Sequence, residues 1–340
     1  MYPLKYDPDV CRSCPTVDCL TRCQYMDLDL DAAREAKDSI LAHEYTPVLS
    51  DCATCYACEE YCPNGNHPFY QLVDLQEELG VNPVPVPITK EQVVMMRERG
   101  DTMEKPVTEP LVDMCFFPML EPTIGGPLYE GATTVCGSDI FCNVMWLHFA
   151  RNSVIRERLP RVIGRINDLF VEPSGVKEVV CYHDECYGTF TQLAPAFGMD
   201  VPFTPVHLFE YLDRRLGELD EQGRLKKLNA TVAYQRPCSS RLSPQIRPYV
   251  DSIFEKIGVS RPQRKYDREN ALCCGGVIYA SQRDDMADDI QEKNLADMQK
   301  VGAQYCVFNC PFCMFTLGDA AAERGMVPIL MSDLCRMAAG

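Results

Sequence analysis

Three kinds of feature are missing from this sequence of 340 residues, and each absence excludes a class of protein. No run of about 18 or more apolar residues occurs, so we expect no membrane span of its own. The N-terminal MYPLKYDPDVC contains no apolar signal core, which predicts a cytoplasmic protein that reaches the inner face of a membrane only through a partner. Neither a G-x-G-x-x-G dinucleotide fingerprint nor a C-x-x-C-H haem-attachment motif is present, so we expect electrons to be exchanged with another protein.

Positive charge is scarce as well. Lysine and arginine number 33 against 49 acidic residues, and the formal net charge is −16. Binding to nucleic acid or to an anionic membrane surface needs basic patches, so neither is expected. With 46% hydrophobic and 24% charged residues, the composition is that of a globular chain long enough for two or three domains.

Cysteine, by contrast, is abundant. The chain contains 20 cysteines, and in a cytoplasmic protein this density predicts metal ligands rather than disulfides. The first eight fall into two groups of four: Cys11, Cys14, Cys19 and Cys23, then Cys52, Cys55, Cys58 and Cys62. The second group, followed by Pro63, has the spacing C-x2-C-x2-C-x3-C-P of bacterial two-cluster ferredoxins.

The resemblance to two-cluster ferredoxins implies how these cysteines are shared. In that pattern three close cysteines hold one [4Fe–4S] cluster, and the fourth reaches across to the other cluster. The implied sets are Cys52, Cys55, Cys58 and Cys23 for one cubane cluster, and Cys11, Cys14, Cys19 and Cys62 for the other. The first run departs from the pattern at Gln24, where proline usually stands. A pair of zinc sites is the alternative, and His67 is interpreted as a surface loop residue.

The sequence around these cysteines predicts a helical ferredoxin-like module over residues 1–105. Apolar residues recur at helical spacing in DLDAAREAKDSILAHEY, and PFYQLVDLQEELG predicts a second helix that ends at Gly80. The prolines of NPVPVP then predict an extended linker, and TKEQVVMMRERG predicts a further helix.

The remainder of the chain contains an internal repeat, in which residues 175–190 align with residues 302–317. The matched positions are Gly175 and Gly302, Cys186 and Cys313, Val201-Pro202 and Val327-Pro328, and Leu208 and Leu334. Each copy alternates strand and helix, which predicts two pseudo-repeated α/β domains with largely parallel sheets, over residues 106–227 and 228–340. Ligand sites in such sheets lie at the carboxyl ends of strands, where the repeated cysteines fall.

Five cysteines mark the second copy. They are Cys238, the adjacent Cys273 and Cys274, and Cys310 and Cys313 of the CPFC sequence. Between them, 34 residues separate Cys238 from Cys273, and 35 separate Cys274 from Cys310. CPFC alone would also suit a thioredoxin-like redox pair, but the three further cysteines argue against that alternative.

This pattern resembles the cysteine-rich CCG domain of heterodisulfide reductase catalytic subunits. In the membrane-linked form of that enzyme, and in the iron–sulfur subunit of anaerobic glycerol-3-phosphate dehydrogenase, a two-cluster ferredoxin unit precedes two CCG domains. The resemblance implies that the five cysteines hold a noncubane [4Fe–4S] cluster, the expected catalytic centre, whose extended shape uses adjacent thiolates. Gly275 and Gly276 would let the backbone approach that cluster or adopt positive φ.

The first copy lacks this pattern, because Val135 stands where the first cysteine of the adjacent pair should be. Its candidate ligands are Cys115, Cys136, Cys142, Cys181, Cys186 and His183, of which His183 aligns with Cys310. Three alternatives remain open: an ordinary cubane, a noncubane cluster with rearranged ligands, or buried thiols without metal. We expect a further iron–sulfur cluster here, because unpaired cysteines rarely gather at a strand end by chance.

Cysteines and histidines outside these sets are assigned to packing or to the surface: Cys306, Cys335, His43, His148 and His207. The prediction for the whole chain is an oxidoreductase subunit that passes electrons from two cubane clusters to the noncubane cluster, which reduces a disulfide or oxidises thiols. Its partners would be a small disulfide or thiol, and a redox subunit such as a flavoprotein, a hydrogenase or formate dehydrogenase module, or a membrane cytochrome b.

Two alternatives to catalysis are retained. The chain could be an electron conduit between a flavoprotein dehydrogenase and a membrane quinone or cytochrome, as the resemblance to the glycerol-3-phosphate dehydrogenase subunit implies. It could also be a zinc-bearing scaffold, which iron and sulfide analysis would distinguish from an iron–sulfur protein.

Overall fold

The computed structural model describes residues 4–340, and within them the part that precedes residue 111 is helical without strands. Its helices are α1 (Pro8–Ser13), α2 (Asp18–Thr21), α3 (Leu30–Leu41), α4 (Pro47–Asp51), α5 (Ala57–Tyr61), α6 (Pro68–Leu79) and α7 (Val86–Met95). The eight N-terminal cysteines lie in the short helices α1, α2 and α5 or in the segments that follow α1, α2, α4 and α5.

Local sequence signals account for the two long helices of this region. The Asp29 side chain accepts a hydrogen bond from the N–H of Ala32 and so caps α3, whose buried face contains Ala33, Ala36 and Ile40. Helix α6 ends where Gly80 adopts a left-handed conformation with φ of 69°, as its sequence predicts. Both predicted helices are confirmed.

The predicted linker NPVPVP is partly wrong, because α7 begins inside it at Val86. Pro87 occupies the first turn of that helix. A proline is tolerated there because the N–H groups of the first turn have no partner within the helix.

Four parallel strands form the first sheet, in the order β2-β1-β3-β4. The strands are β1 (Leu111–Asp113), β2 (Thr133–Val135), β3 (Glu178–Cys181) and β4 (Thr204–His207). The helices of this region are α8 (Asn152–Ile166), α9 (Glu172–Ser174), α10 (Asp184–Gly188), α11 (Ala194–Ala196) and α12 (Leu208–Glu221). Turns of π-helix at Asn167–Val171 and Thr189–Leu193 continue α8 into α9 and α10 into α11.

The second sheet has three parallel strands in the order β5-β6-β7. They are β5 (Val232–Gln235), β6 (Tyr305–Phe308) and β7 (Val327–Leu330). A parallel bridge between Thr231 and Ser260 extends the sheet on the side of β5 away from β6, where β2 lies in the first sheet. The helices are α13 (Arg247–Ile257), α14 (Gly276–Ala280), α15 (Asp284–Lys300), α16 (Pro311–Glu323) and α17 (Met331–Ala339). The predicted mixture of helices and parallel sheets is therefore confirmed.

The alignment of the two copies is correct at β3 and β6 but wrong at the strands that follow. Pro205 pairs with Val179, and Pro328 pairs with the matching Cys306, so Pro205 rather than Pro202 corresponds to Pro328. Likewise α12 begins at Leu208 whereas α17 begins at Met331. The reason is the preceding turn, which runs over the seven residues 197–203 in the first copy and the three residues 324–326 in the second.

One hydrophobic core runs through both sheets and reaches into the N-terminal helical region, where Phe69 and Val73 join it. The strand residues Val112, Val179 and Val307 belong to it and are fully buried, as expected for parallel strands covered on both faces. Within residues 4–340, no helix combines the length and apolar character needed to cross a membrane. The predicted boundaries at residues 105 and 227 stay predictions.

Candidate metal centres

The carboxyl ends of the strands carry the cysteines of both sheets. Cys115 follows β1 and Cys181 ends β3, whereas Cys238 follows β5 and Cys310 lies just after β6. Since all strands of a parallel sheet point the same way, the loops at this edge converge and can present ligands to one site. The structure therefore places the cysteines of each half where the α/β topology predicts a ligand site.

In the second half the five predicted ligands form a continuous chain of contacts. Cys238 contacts Cys273, Cys273 contacts Cys274, Cys274 contacts Cys313, and Cys313 contacts Cys310. Cys238 opens the 3-10 helix Cys238–Leu242, and Cys310 is the N-cap of α16. We call these five residues the extended site, because each contacts the next and no three of their sulfur atoms lie within 4.8 Å of one another.

Hydrogen bonds between the thiols favour the thiolate form at two positions of the extended site. Hydrogen bonds from Cys273 and Cys313 lower the pKa of Cys274 against the effect of burial. The pKa of Cys310 is also lowered, by the Cys313 hydrogen bond and by the nearby His183. Thiolates are the form that binds metals, so the donor set suits a thiolate-ligated group.

Each of the two glycines after the cysteine pair is needed for a different structural reason. Gly275 has φ of 90°, which side chains rarely allow, and its N–H donates to the sulfur of Cys273 over 3.4 Å. A Cβ on Gly276 would lie 3.0 Å from Thr316 Oγ1 and 3.7 Å from Cys274 Sγ. The backbone thus passes close to the extended site, although direct cofactor binding by these glycines stays a prediction.

One histidine of this site was missed by the sequence analysis. His148 is buried, and its Nε2 lies 3.9 Å from Cys238 Sγ while its Nδ1 lies 2.8 Å from Thr54 Oγ1. It comes from the first half, 90 residues before Cys238, so no local spacing could have indicated the contact. His148 therefore joins three regions of the chain beside the extended site.

A second histidine was misplaced by the sequence analysis. His67 was interpreted as a surface loop residue, but it is buried, and its Nδ1 lies 2.8 Å from Glu59 Oε2. The same carboxylate accepts a hydrogen bond from the N–H of Phe69, so Glu59 holds the start of α6 against α5. The interpretation was wrong because Pro68 starts a packed helix immediately after His67.

The first half brings together three of its six candidate ligands. Cys115, Cys142 and Cys186 are buried, and their sulfur atoms all lie within 4.8 Å of one another. We call them the compact trio. Among residues 4–340 no other group of three or more cysteine, histidine or carboxylate ligands is so compact. Cys136 is partly exposed and outside the trio, and the buried Cys181 lies 3.8 Å from the carbonyl of Val179.

His183 and Glu185 lie between the compact trio and the extended site. Glu185 Oε2 is 4.0 Å from Cys142 Sγ and 3.7 Å from His183 Nδ1. His183 in turn contacts Cys310. Burial lowers the pKa of His183, but Glu185 and Cys310 outweigh it and raise the pKa to about 10. The two halves therefore share one buried polar boundary at their cysteine sites.

The N-terminal cysteines interact mostly within the two sets that the ferredoxin pattern implies, and Cys58 also interacts with Cys19 of the other set. The thiol of Cys19 interacts electrostatically with those of Cys62, Cys11 and Cys14, which come from both groups in the sequence. In the other set, Cys52 interacts with Cys55 and Cys23, and Cys58 with Cys52 and Cys55. Their role as ligands of cubane clusters stays a prediction.

The second of these sets adjoins the extended site, since the thiols of Cys55 and Cys238 interact electrostatically. Tyr25, two residues after Cys23, accepts a hydrogen bond of 2.9 Å from the N–H of Cys273. Arg241 donates both to the carbonyl of Cys55, over 3.2 Å, and to the carbonyl of Ala271, over 2.9 Å. The backbone of both cysteine loops is therefore held by the same arginine.

A buried carboxylate fixes the helical region to the second half. The Glu60 side chain is only 4% exposed and forms ion pairs with Arg236 at 2.7 Å, with Arg241 at 3.5 Å and with Arg247. Burial lowers the pKa of Arg236 to about 9, with a further contribution from Arg241. Glu60 compensates this concentration of positive charge directly beside the loop that carries Cys238.

Comparisons with known proteins identify the second half. Residues 232–318 match the model of the CCG family, described as a cysteine-rich domain. No curated protein matches the chain. The fold is similar to that of a hypothetical protein from Helicobacter pylori known from a crystal structure, with a TM-score of 0.56 and 10% identity over 92% of this chain and 73% of that one. The CCG match and the cysteine groups together indicate an iron–sulfur electron-transfer protein.

Proposed function

We propose that this chain is an iron–sulfur oxidoreductase subunit similar to heterodisulfide reductase. Two cubane clusters in an N-terminal domain of residues 1–105 would pass electrons to a noncubane [4Fe–4S] cluster on the extended site. That cluster belongs to a domain of residues 228–340, which follows a divergent domain of residues 106–227. The observation that carries this proposal is the Arg241 side chain, which donates to the carbonyls of Cys55 and Ala271 and so joins the loop of one predicted cubane set to the loop of the extended site.

The arrangement of the five sulfur atoms supports an extended cluster. Their contacts run from one cysteine to the next, and no three ligands among them are as close as those of the compact trio. A single tetrahedral ion would draw four sulfurs to mutual distances of about 3.8 Å, because zinc–sulfur bonds are about 2.3 Å long. Five linked sulfurs, no three of them within 4.8 Å of one another, suit a cofactor with several metal atoms better.

When bound, such a cluster supplies electrons and iron that stabilises a thiolate. Reduction of one disulfide consumes two electrons and two protons and yields two thiols, and the electrons come from a redox partner. The protein's own groups hold the site: Arg241 fixes the loops of Cys55 and Cys273, and His148 lies against the partly exposed Cys238. Cys238 is therefore the proposed side of substrate approach.

The proposed partners are a small disulfide or thiol and a redox subunit, namely a flavoprotein, a hydrogenase or formate dehydrogenase module, or a membrane cytochrome b. The net charge of −16 supports a partner whose docking face is basic. We place the protein in the cytoplasm, with contact to the inner face of the membrane through that partner.

The test compares two cysteine variants of anaerobically purified protein. Cys274→Ser removes a member of the extended site, whereas Cys306→Ser changes a buried cysteine in the middle of β6. We expect Cys274→Ser to lose about four irons per chain and to lose any new EPR signal that thiols induce in the oxidised protein. Cys306→Ser should keep both, and equal iron content in the two variants would refute the proposal.

A second function, electron transfer without catalysis, is favoured by the burial of the extended site. Cys273, Cys274, Cys310 and Cys313 are 3–8% exposed, which leaves a substrate little access beyond Cys238. In this case the chain would link a flavoprotein to a membrane quinone or cytochrome. If the extended site contains iron but no thiol that is tried induces an EPR signal, electron transfer without catalysis would be the better description.

A further inference from the structure

A small cavity lies where the N-terminal helical region meets the second half. Its volume is about 130 Å³, and Tyr234, Ser240 and Glu269 form part of its wall. Tyr61 of α5 donates a hydrogen bond of 3.2 Å to the carbonyl of Glu269, so the helical region adjoins this wall. No cysteine in the described part of the chain lines the cavity, which separates it from the metal centres above.

Arginines dominate the wall of this cavity. They come from separate segments of the second half: Arg236 follows β5, Arg247 begins α13, and Arg261 and Arg268 lie in the loop that leads to the cysteine pair. The chain has only 33 basic residues against 49 acidic ones, so the convergence of these arginines on one cavity indicates a site for an anion. We call the cavity the arginine pocket.

On one side of the arginine pocket the carboxylates are too few for the guanidinium groups. Glu60 forms ion pairs with Arg236 at 2.7 Å, with Arg241 at 3.5 Å and with Arg247. Even with the exposed Glu269 included, two carboxylates face three arginines. Burial lowers the pKa of Arg236 to about 9 and lowers that of Arg247 as well, because positive charge is costly to bury. An anion in the pocket would reduce this cost.

The other arginines of the pocket are balanced by their own carboxylates. Asp251 pairs with Arg261 at 3.0 Å and with Arg268 at 2.7 Å, and Asp267 also pairs with Arg261. These pairs hold the two guanidinium groups in the wall without neutralising the rest of the pocket. The excess positive charge therefore lies on the side of Glu60.

Arg247 and Arg268 have N–H groups to spare for a ligand. Among the described residues, Arg247 donates to Glu60 through Nη2 alone, and Arg268 donates to Asp251 through Nη1 and Nη2. A guanidinium group carries five N–H donors, so three or more remain on each arginine. Both side chains are about half-exposed and can turn these donors toward the cavity. Their planar fork matches the oxygens of a phosphate or a carboxylate.

The size of the pocket limits what it can hold. One water needs about 10–15 Å³ of cavity volume. A cavity of about 130 Å³ therefore has room for one phosphate or carboxylate group with a few waters, but not for a helix of another protein.

Arg236 connects the pocket to a cysteine loop. Its Nε donates to Ser240 Oγ over 2.7 Å, and these two residues stand two positions before and two positions after Cys238. An anion bound to Arg236 would therefore also restrain the loop that carries Cys238.

We propose that the arginine pocket binds a small oxyanion, the phosphate or carboxylate group of a metabolite, between Arg236, Arg247 and Arg268. The bound anion supplies the missing negative charge where the helical region joins the second half, and it steadies the loop of Cys238. This inference goes beyond the proposed redox function and is independent of it, because no cysteine among the described residues lines the pocket.

Isothermal titration calorimetry of the anaerobically purified full-length protein tests the proposal. Inorganic phosphate and succinate are titrated separately, at an ionic strength held constant with chloride. We expect a single saturable site for at least one of them, and the tighter binder identifies the group that the pocket prefers. Absence of saturable binding for both anions would refute the proposal.

A matched pair of arginine variants locates the anion. Arg247→Gln should weaken binding of the preferred anion by about 10–100-fold, because charge-assisted hydrogen bonds are lost. The control is Arg214→Gln, which changes a half-exposed arginine of the first half that pairs with Glu178 outside the pocket, and it should bind like the unchanged protein. Equal affinities in the two variants would overturn the inference.

Glu269→Gln should have the opposite effect. It removes an exposed negative charge from the wall of the pocket, so binding should tighten by about 2–5-fold. Glu178→Gln removes the same charge outside the pocket and should leave the affinity unchanged. Unchanged or weaker binding in Glu269→Gln, or the same gain in both variants, would show that the anion does not bind in the arginine pocket.

Discussion

The two halves of the molecule place cysteines at the same edge of similar sheets but arrange them differently. Cys186 and Cys313 are both the third residue of the helix after the central strand, and His183 and Cys310 cap those helices. In the first half three sulfurs lie within 4.8 Å of one another, whereas no three of the five sulfurs in the second half do so. The comparison shows that one α/β frame can hold its cysteines in two different arrangements through changes at a few loop positions.

Replacing the cap residue of the second half with that of the first should have the largest effect. We expect Cys310→His to lose about four irons per chain, because one of five thiolates is removed and a bulkier ring takes its place. The reverse change, His183→Cys, adds a thiol to the first half and should leave the iron content unchanged. Iron analysis with EPR measures both, and full iron content in Cys310→His would contradict the assignment of the extended site.

The ion pairs of Glu60 are a second difference between the halves, because they attach the N-terminal helical region to the second half. Glu60→Gln leaves Arg236 and Arg241 without their buried carboxylate, and we expect a loss of about 3–5 kcal/mol in the free energy of unfolding. Denaturant titration monitored by circular dichroism measures it.

The control is Glu178→Gln, which breaks a half-exposed pair with Arg214 at 2.9 Å. That change should cost less than about 1 kcal/mol, since exposed ion pairs contribute little. Equal losses in the two variants would show that Glu60 has no special part in joining the regions.

The loop before the cysteine pair depends on Asp267, which is buried against Arg261 at 2.5 Å. Burial raises the pKa of Asp267, but its hydrogen bond with Arg261 outweighs that and holds the pKa below its usual value. A lowered pKa contributes stability above the unfolded pKa of about 3.9, and this contribution is lost as the pH falls through the lower folded value.

We therefore expect Asp267→Asn to cost about 2–3 kcal/mol at pH 7, with a smaller difference from the unchanged protein below about pH 4. Denaturant titrations at a series of pH values measure this. A difference that stays constant down to pH 3 would show that the carboxylate charge does not stabilise the loop.

Substitution of the glycine that follows the cysteine pair should have the smallest effect on the free energy of unfolding. Gly275 has φ of 90°, whereas Gly137, which follows Cys136 in the first half, is not among the residues with positive φ. Gly275→Ala should cost about 1–2 kcal/mol, because an L-residue is strained there. Its Cβ would also lie 3.2 Å from Gln291 Nε2.

Gly198→Ala is the control for this change, since Gly198 has φ of 73° but open space around its Cβ. Thermal unfolding should show a similar strain in both variants, and iron content should fall in Gly275→Ala alone. Unchanged iron in Gly275→Ala would show that the conformation of this turn is not needed for the extended site.

Local patterns predicted those features that local interactions decide. The helices α3 and α6 were predicted from apolar spacing, from a cap and from Gly80, because these signals act within a few residues. The alternation of strands and helices also predicted two parallel sheets. The register at β4 was wrong by three residues, because the longer turn before it carries no signal that distinguishes Pro202 from Pro205.

The candidate sites show the same limit. Sequence spacing grouped the five cysteines of the extended site, but it could not place His148 beside Cys238, since the two are 90 residues apart. It named all three cysteines of the compact trio but also Cys136 and Cys181, which stand apart from it. Only the packing of three loops decides which thiols meet.

The sequence by itself determined how the cysteines group along the chain and the α/β class, because these follow from spacing and periodicity. The tertiary structure alone decided which sulfur atoms come close to one another in each half. The physical reason is that a ligand set is defined by where separate loops converge, and this depends on the packing of the strands and helices that carry them. As a result, three sulfurs lie within 4.8 Å of one another in the first half, and no three of the five do so in the second.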